Sequence, residues 1–389
     1  MFNGNRLSVW PFSFGCEKLH FMPEPLKNMY NPRFFEVFTS TVKLVLPNFN
    51  KQRFLHQVFD TNWEQRELKQ RVRHISSTLK EHLPGSYKEQ VSLILGIIKH
   101  FEKTGIKGGF EYMFFPDFIE QYGLDDLETS LKAIEEITQF ISCEFAIRPF
   151  LLKYQNEVMV QMLKWNKHPH DHVRRFSSEG CRPRLPWAMA IPALKKDPSP
   201  ILPILENLKN DASLFVRKSV ANNLNDIAKD HPQVVFELAK KWKGVSKETD
   251  WIVKHGCRTL LQKADKNIYQ LFGLNGKTAC EVQDLKLSKS KIKIGDRLGF
   301  SFALKATNKK PSKLRLEYAV YYVKANGKQA RKLFKLAENN YKPDNIYSFK
   351  KEQRFQDFTT RKHFPGKHKI GIIVNGQELA TKEFMLLQQ

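Results

Sequence analysis

Three segments of this chain repeat one another, and they constrain its fold more than any other feature. HVRRFSSEG (172–180), FVRKSVANN (215–223) and IVKHGCRTL (252–260) align on Val173, Val216 and Val253, which stand 43 and 37 residues apart. Self-similarity at this period marks stacked helix pairs, because one pair cannot bury its own apolar face and its neighbours must complete the core. The spacing predicts an α-solenoid of HEAT-like repeats in which a Val-Arg or Val-Lys pair opens each second helix. That would line up Arg174, Arg175, Arg217, Lys218 and Lys254 near helix N-termini on one concave face, where phosphate is attracted. An ordinary solvated basic face is the competing explanation.

Helical patterns at 25–60, 63–82, 87–102, 114–122 and 125–142 extend the α region toward the N-terminus. Beyond Leu274-Asn275-Gly276 the period changes to two, as in RLGFSFALKA (297–306), LRLEYAVYYVKA (314–325) and HKIGIIVNGQELATKEFML (368–386). Asn375-Gly376 between two such runs is a type I′ hairpin signal. The expected organisation is a disordered extension at 1–21, a helical-repeat domain at 22–274 and an all-β sandwich of about seven strands at 278–389.

Charge says what such a chain would hold. The formal net charge is +24. Residues 275–389 alone carry 25 Lys and Arg against 10 Asp and Glu. A folded sandwich does not need that excess, whereas a polyanion does, since neutralised phosphates release condensed counterions. No run of about 18 apolar residues and no lipidation motif argues for a membrane. The five cysteines are scattered without a CxxC pair, which favours reduced thiols in a cytoplasm over a structural zinc site. No GxGxxG, Walker A or GxSxG pattern is present, so the common nucleotide and hydrolase templates drop out.

Acids inside the basic region are the candidate chemistry. Glu144 in ISCEFAIRPFL, Glu179 in SSEGCRPRLPW and Asp226 in VANNLNDIAKDHP each sit among apolar or small residues, where an ionised carboxylate is costly unless paired or used. Simple helix pairing would join Glu144 to Arg148, Glu179 to Arg182 and Asp226 to Lys229. Trp187, after Arg184-Leu185-Pro186, is either core or a stacking surface for a base or a cation. His168, His170 and His172 alternate but lack a metal-binding frame, and no metal or cofactor is expected.

On the blocks SSEGCRPRLPWA and SLFVRKSVANNLNDIAKDHP, together with CEFAIRPFL, the chain resembles the AlkC branch of the bacterial DNA alkylation repair proteins, in the HEAT-like-repeat DNA glycosylase superfamily that also contains AlkD. The resemblance runs from about Met22 to Gln389. It implies a mainly α, multidomain protein whose helical repeats precede an immunoglobulin-like sandwich. It also implies excision of cationic N-alkylated bases such as 3-methyladenine and 3-methylcytosine from double-stranded DNA. Glu144, Glu179, Trp187 and Asp226 would form the catalytic pocket. Arg148, Arg174, Arg175, Arg182, Arg184, Arg217, Lys218 and Lys254 would bind DNA. The absence of oligomerisation seams makes a monomer the expectation, in the cytoplasm and nucleoid-associated when on DNA. The rival expectations are a non-catalytic HEAT-repeat nucleic-acid-binding or scaffold protein and an RNA-binding repeat protein, but a pure binder has little reason to set three carboxylates in its own basic groove.

Overall fold

The computed structural model describes residues 24–274, 280–307, 309–358 and 361–388. The extension expected at 1–21 lies outside them, as do the first residues past the expected boundary at Leu274. The chain divides into two compact units between Ile141 and Ser142.

The first unit holds α1 (Pro32–Val45), α2 (Lys51–Val58), α3 (Leu68–His82), α4 (Tyr87–Lys103), α5 (Phe114–Tyr122) and α6 (Leu127–Phe140). The single helix expected over 25–60 is broken. Leu46 precedes Pro47, which disfavours helical backbone at 46, and Asn50 caps a new start by accepting from the Arg53 amide at 3.0 Å. α3 packs on α5, α4 on α6 and α1 on α4, around a core rich in phenylalanine that includes Phe35, Phe38, Phe101, Phe114 and Phe118.

The second unit begins with α7 (Ile147–Lys153), α8 (Gln155–Trp165), α9 (Asp171–Gly180), α10 (Pro192–Lys196), α11 (Leu202–Leu208), α12 (Leu214–Asp230), α13 (Pro232–Trp242), α14 (Lys247–Gly256), α15 (Arg258–Gln262) and α16 (Lys266–Leu271). The repeated segments fall on α9, on α12, and across the end of α14 into α15, and α12 packs against α9 and α14. A helix flanked this way is buried on most sides, which explains why its polar residues Ser219, Asn223, Asn225 and Asp226 are all buried. Val173 and Val216 lie in the first turn of their helices, as expected. Val253 does not. A capping box in which Ser246 and Thr249 exchange hydrogen bonds starts α14 six residues before it, so Lys254 sits in the last turn rather than near the N-terminus.

Eight strands follow among the described residues: β1 (Cys280–Leu287), β2 (Lys291–Lys293), β3 (Arg297–Ala306), β4 (Ser312–Val323), β5 (Gln329–Tyr341), β6 (Ile346–Arg354), β7 (Gly366–Val374) and β8 (Gln377–Leu387). They form a three-stranded sheet, β1-β3-β6, and a five-stranded sheet, β2-β8-β7-β4-β5. Alternate residues from both sheets, among them Phe300, Phe302, Leu316, Tyr318, Ile370 and Phe384, fill the space between them. The hairpin expected at Asn375-Gly376 joins β7 to β8, with positive φ at both residues, 43° and 81°. Its tip rests on the helical half: a Cβ added to Gly376 would stand 2.5 Å from that of Ala264. Lys254 strengthens the same joint by pairing with Glu338 of β5 while lying 4.4 Å from the centroid of the Phe272 ring. Among the described residues no helix is long and apolar enough to cross a membrane.

Candidate active site

α9 and α12 each bring a carboxylate to their C-terminal end: Glu179 in the last turn of α9, Asp226 one turn before the end of α12. The helix macrodipole makes this the unfavourable end for an acid, and both residues are buried, at 4% and 1% exposure. What holds them is Arg182, two residues past α9. Its Nη1 meets Glu179 Oε1 at 2.6 Å, and its Nε and Nη2 meet Asp226 Oδ2 at 2.8 and 2.7 Å. Burial disfavours the Arg182 charge, but attraction from Glu179 and Asp226 outweighs it and holds the guanidinium above its ordinary pKa.

The pairing continues in both directions. Asp226 Oδ1 accepts from Lys229 at 2.9 Å. Ser219 donates to Glu179 Oε2 at 2.6 Å. Arg175, one turn before Glu179, lies 3.5 Å from it and pairs with Glu144 in the turn before α7. Ser142 donates to Glu144 Oε2 at 2.8 Å. Acids and bases thus alternate from Glu144 through Arg175, Glu179, Arg182 and Asp226 to Lys229. The helix pairs expected for Glu179 and Asp226 are present. The one expected between Glu144 and Arg148 is not, because Glu144 precedes the helix and its partner comes from α9.

Trp187 lies on the loop from Cys181 to Ile191, which also carries Arg182. It is 63% exposed and has a φ of 65°. A bulky side chain pays for left-handed backbone, which makes such residues uncommon outside functional sites. The loop is closed at its base by the Ile191 amide donating to the Pro183 carbonyl at 3.3 Å. Arg184 grips Asp230 through two nitrogens, at 3.0 and 2.7 Å.

The remaining expected cations are dispersed. Arg148 is fully buried and donates only to backbone carbonyls, so a phosphate cannot reach it where it stands. Arg174 is bound to Asp211 by two contacts, at 2.6 and 3.1 Å. The repeated Val-Arg pair has a local structural meaning: Arg174 donates to the carbonyls of His168 and Pro169, and Arg217 donates in the same way to those of Asp211 and Ala212, each reaching back across the turn that starts its helix. Lys218 beside Arg217 is exposed, while Lys254 is committed to the joint with the β domain. His168 and His170 use Nδ1 to accept the amides of His170 and His172 at the start of α9.

Ser219 and Phe215 were not singled out by the sequence. Ser219 lies seven residues before Asp226 on one face of α12, a spacing that could have revealed it. Phe215 lies under Arg175, 4.7 Å from ring centroid to guanidinium, and is 43% exposed.

Comparison with known proteins bears on this site. A family model described as "DNA alkylation repair enzyme" matches residues 115–260, the span that holds the whole ladder. A second, described as the C-terminal Ig-like domain of the uncharacterised protein YhaZ, matches residues 281–388. The uncharacterized protein YhaZ of Bacillus subtilis (strain 168) is 44% identical over 361 residues, covering 93% of this chain and 99% of that protein. The solved structure of Pseudomonas fluorescens alkylpurine DNA glycosylase AlkC, bound to DNA containing an abasic site analog, matches with a TM-score of 0.88 at 35% identity, over 93% of this chain and 99% of that one.

Proposed function

Since this chain belongs to the AlkC-type family of DNA alkylation repair proteins, we propose that it is a DNA glycosylase. In this reading it hydrolyses the N-glycosidic bond of cationic N-alkylated bases, 3-methyladenine and 3-methylcytosine among them, in double-stranded DNA. The observation that carries the reading is the pair of buried carboxylates, Glu179 and Asp226, joined by Arg182 at the C-terminal ends of two adjoining helices.

The chemistry fits those groups. A base alkylated on a ring nitrogen is already a good leaving group, so no general acid is required. What remains is to stabilise an oxocarbenium-like sugar and to position a water, and fixed carboxylates do both when they are pre-oriented. Helix C-termini add negative potential where positive charge develops. Trp187 would offer its π face to the cationic base or the sugar. Asp226 is the residue we assign the largest part of the effect. Lys218 would contact backbone phosphate, and the basic β domain would hold the flanking duplex. The protein would act as a monomer in the bacterial cytoplasm.

One observation favours the alternative of a non-catalytic nucleic-acid binder: each of the three acids already has a cationic partner. The two readings part on release of free base from methylated duplex DNA, with wild type and Asp226→Asn compared at matched salt and equal occupancy. A glycosylase releases base and loses at least about a hundredfold in the variant, ~2.7 kcal/mol of barrier. Binding without any release from alkylated DNA would mean a clamp.

A further inference from the structure

Arg148 is one of the largest fully buried side chains in the protein, and no carboxylate of the described residues pairs with it. Its guanidinium ends on backbone. Nε and Nη2 donate to the Met189 carbonyl at 3.0 and 2.6 Å. Nη1 donates to the carbonyls of Gly180 and Arg182 at 3.1 and 2.7 Å. Burial pushes its pKa down to about 10, with Asp226 and Glu179 opposing from beyond pairing distance, so it is charged at neutral pH. A buried cation without a paired carboxylate is expensive unless hydrogen bonds satisfy it, and here backbone carbonyls do so.

Of the three carbonyl residues, Gly180 and Arg182 flank the point where α9 ends and the Cys181–Ile191 loop begins, and Met189 lies near the point where that loop returns. One planar guanidinium on α7 thus ties the two legs of the loop to each other and to the helix beneath. Trp187 lies between the tied legs with its backbone in the left-handed region. Arg182, whose carbonyl is one of the anchors, carries the bridge between Glu179 and Asp226. We propose that Arg148 is a positioning residue for the candidate active site: it clamps this loop so that the Trp187 backbone is held in its left-handed conformation and the Arg182 guanidinium is held between the two carboxylates. It touches neither DNA nor base. Lysine cannot substitute, because an ammonium has no planar fork to span two legs of a loop.

This inference rests on the glycosylase reading for its activity arm, and its structural arm stands apart. In Arg148→Lys, amide exchange of residues 183–191 is expected to accelerate at least tenfold while that of α12 stays within about twofold. Single-turnover base release at saturating DNA should fall at least tenfold, with the Kd for unmodified duplex and its salt slope unchanged. Arg148→Lys that weakens binding and flattens the salt slope would make Arg148 a phosphate contact and overturn the proposal, as would loop exchange equal to wild type. Should the variant not fold, the wild type decides: the Ala188 and Ile191 amides must be protected well above coil rates in the folded protein, and coil-like exchange there overturns the clamp. Wild type that releases no base defeats the glycosylase reading alone and leaves the exchange result to judge the clamp.

Discussion

Arg182 meets Asp226 with two nitrogens on one oxygen. Nε at 2.8 Å and Nη2 at 2.7 Å both reach Oδ2, so Oδ1 is left to Lys229 at 2.9 Å. The carboxylate is thereby held from both sides, and the same guanidinium spends its remaining arm on Glu179. Both acids share this one cation. Arg182→Met should therefore cost about 3–5 kcal/mol, the usual penalty for stripping a partner from buried charges. Urea unfolding of the two proteins checks it, and a loss below 1 kcal/mol would mean that Lys229, Arg175 and Ser219 suffice.

Trp187 offers the opposite test, of activity without stability. Its side chain is largely exposed, and its φ of 65° suits glycine better than tryptophan. Trp187→Gly should leave stability within about 1 kcal/mol of wild type, because relief of backbone strain offsets the greater freedom of the unfolded chain. Base release should nevertheless fall at least tenfold. A variant that unfolds early would instead place Trp187 in the core.

Among the cations expected to bind DNA, Lys218 is the exposed one, beside an Arg217 that is occupied with its own helix start. Lys218→Ala should weaken duplex binding alike on methylated and unmodified DNA. The slope of log K against log salt should drop by about 1. Titration at three salt concentrations reads both quantities, and an unchanged slope would remove Lys218 from the interface.

Glu338 makes stability depend on pH. Burial would raise its pKa, but the hydrogen bond and charge of Lys254, with Lys335 and Lys313, outweigh burial and set it at about 2. A carboxylate depressed in the folded state contributes stability above its ordinary pKa and loses it as pH falls from about 4.5 to about 2. Glu338→Gln should accordingly cost about 3 kcal/mol near neutrality and should flatten the acid limb between pH 4.5 and 2. A parallel pH profile for the two proteins would mean that the Lys254–Glu338 contact does not persist in solution.

Local chemistry was the legible part of this chain. Asn375-Gly376 announces its hairpin because few other pairs accept two positive φ angles, and β3 begins and ends where the alternation in RLGFSFALKA does. Glu179–Arg182 and Asp226–Lys229 follow from spacing within three residues. Contacts across the stack were only half legible. Arg182–Asp226, Arg184–Asp230 and Ser219–Glu179 all join residues about one repeat apart, so the period tells where a partner lies but not which residue it is. The helical rule that would pair Glu144 with Arg148 does not apply ahead of a helix, and Arg175 takes the place. Lys254 was misplaced because alignment on Val253 ignores the stronger start signal at Ser246. Arg148 looked like any arginine near a basic groove, since nothing in the local sequence marks a side chain whose partners are carbonyls 32 to 41 residues away.

The alternating ladder has a further consequence, in how ionic strength should act. Each of its carboxylates has a fixed countercharge within about 3 Å, well inside the roughly 8 Å screening length at physiological salt, and two of the three are buried. Mobile ions cannot add much to what Arg175, Arg182 and Lys229 already supply. Exposed lysines of the β domain such as Lys350 and Lys351 lack that enclosure, and any phosphate they held would be contested by every cation in solution. On the proposed reading, raising salt should therefore loosen the hold on a duplex long before it alters the rate at which a bound lesion reacts, so that binding and reaction would answer to ionic strength differently.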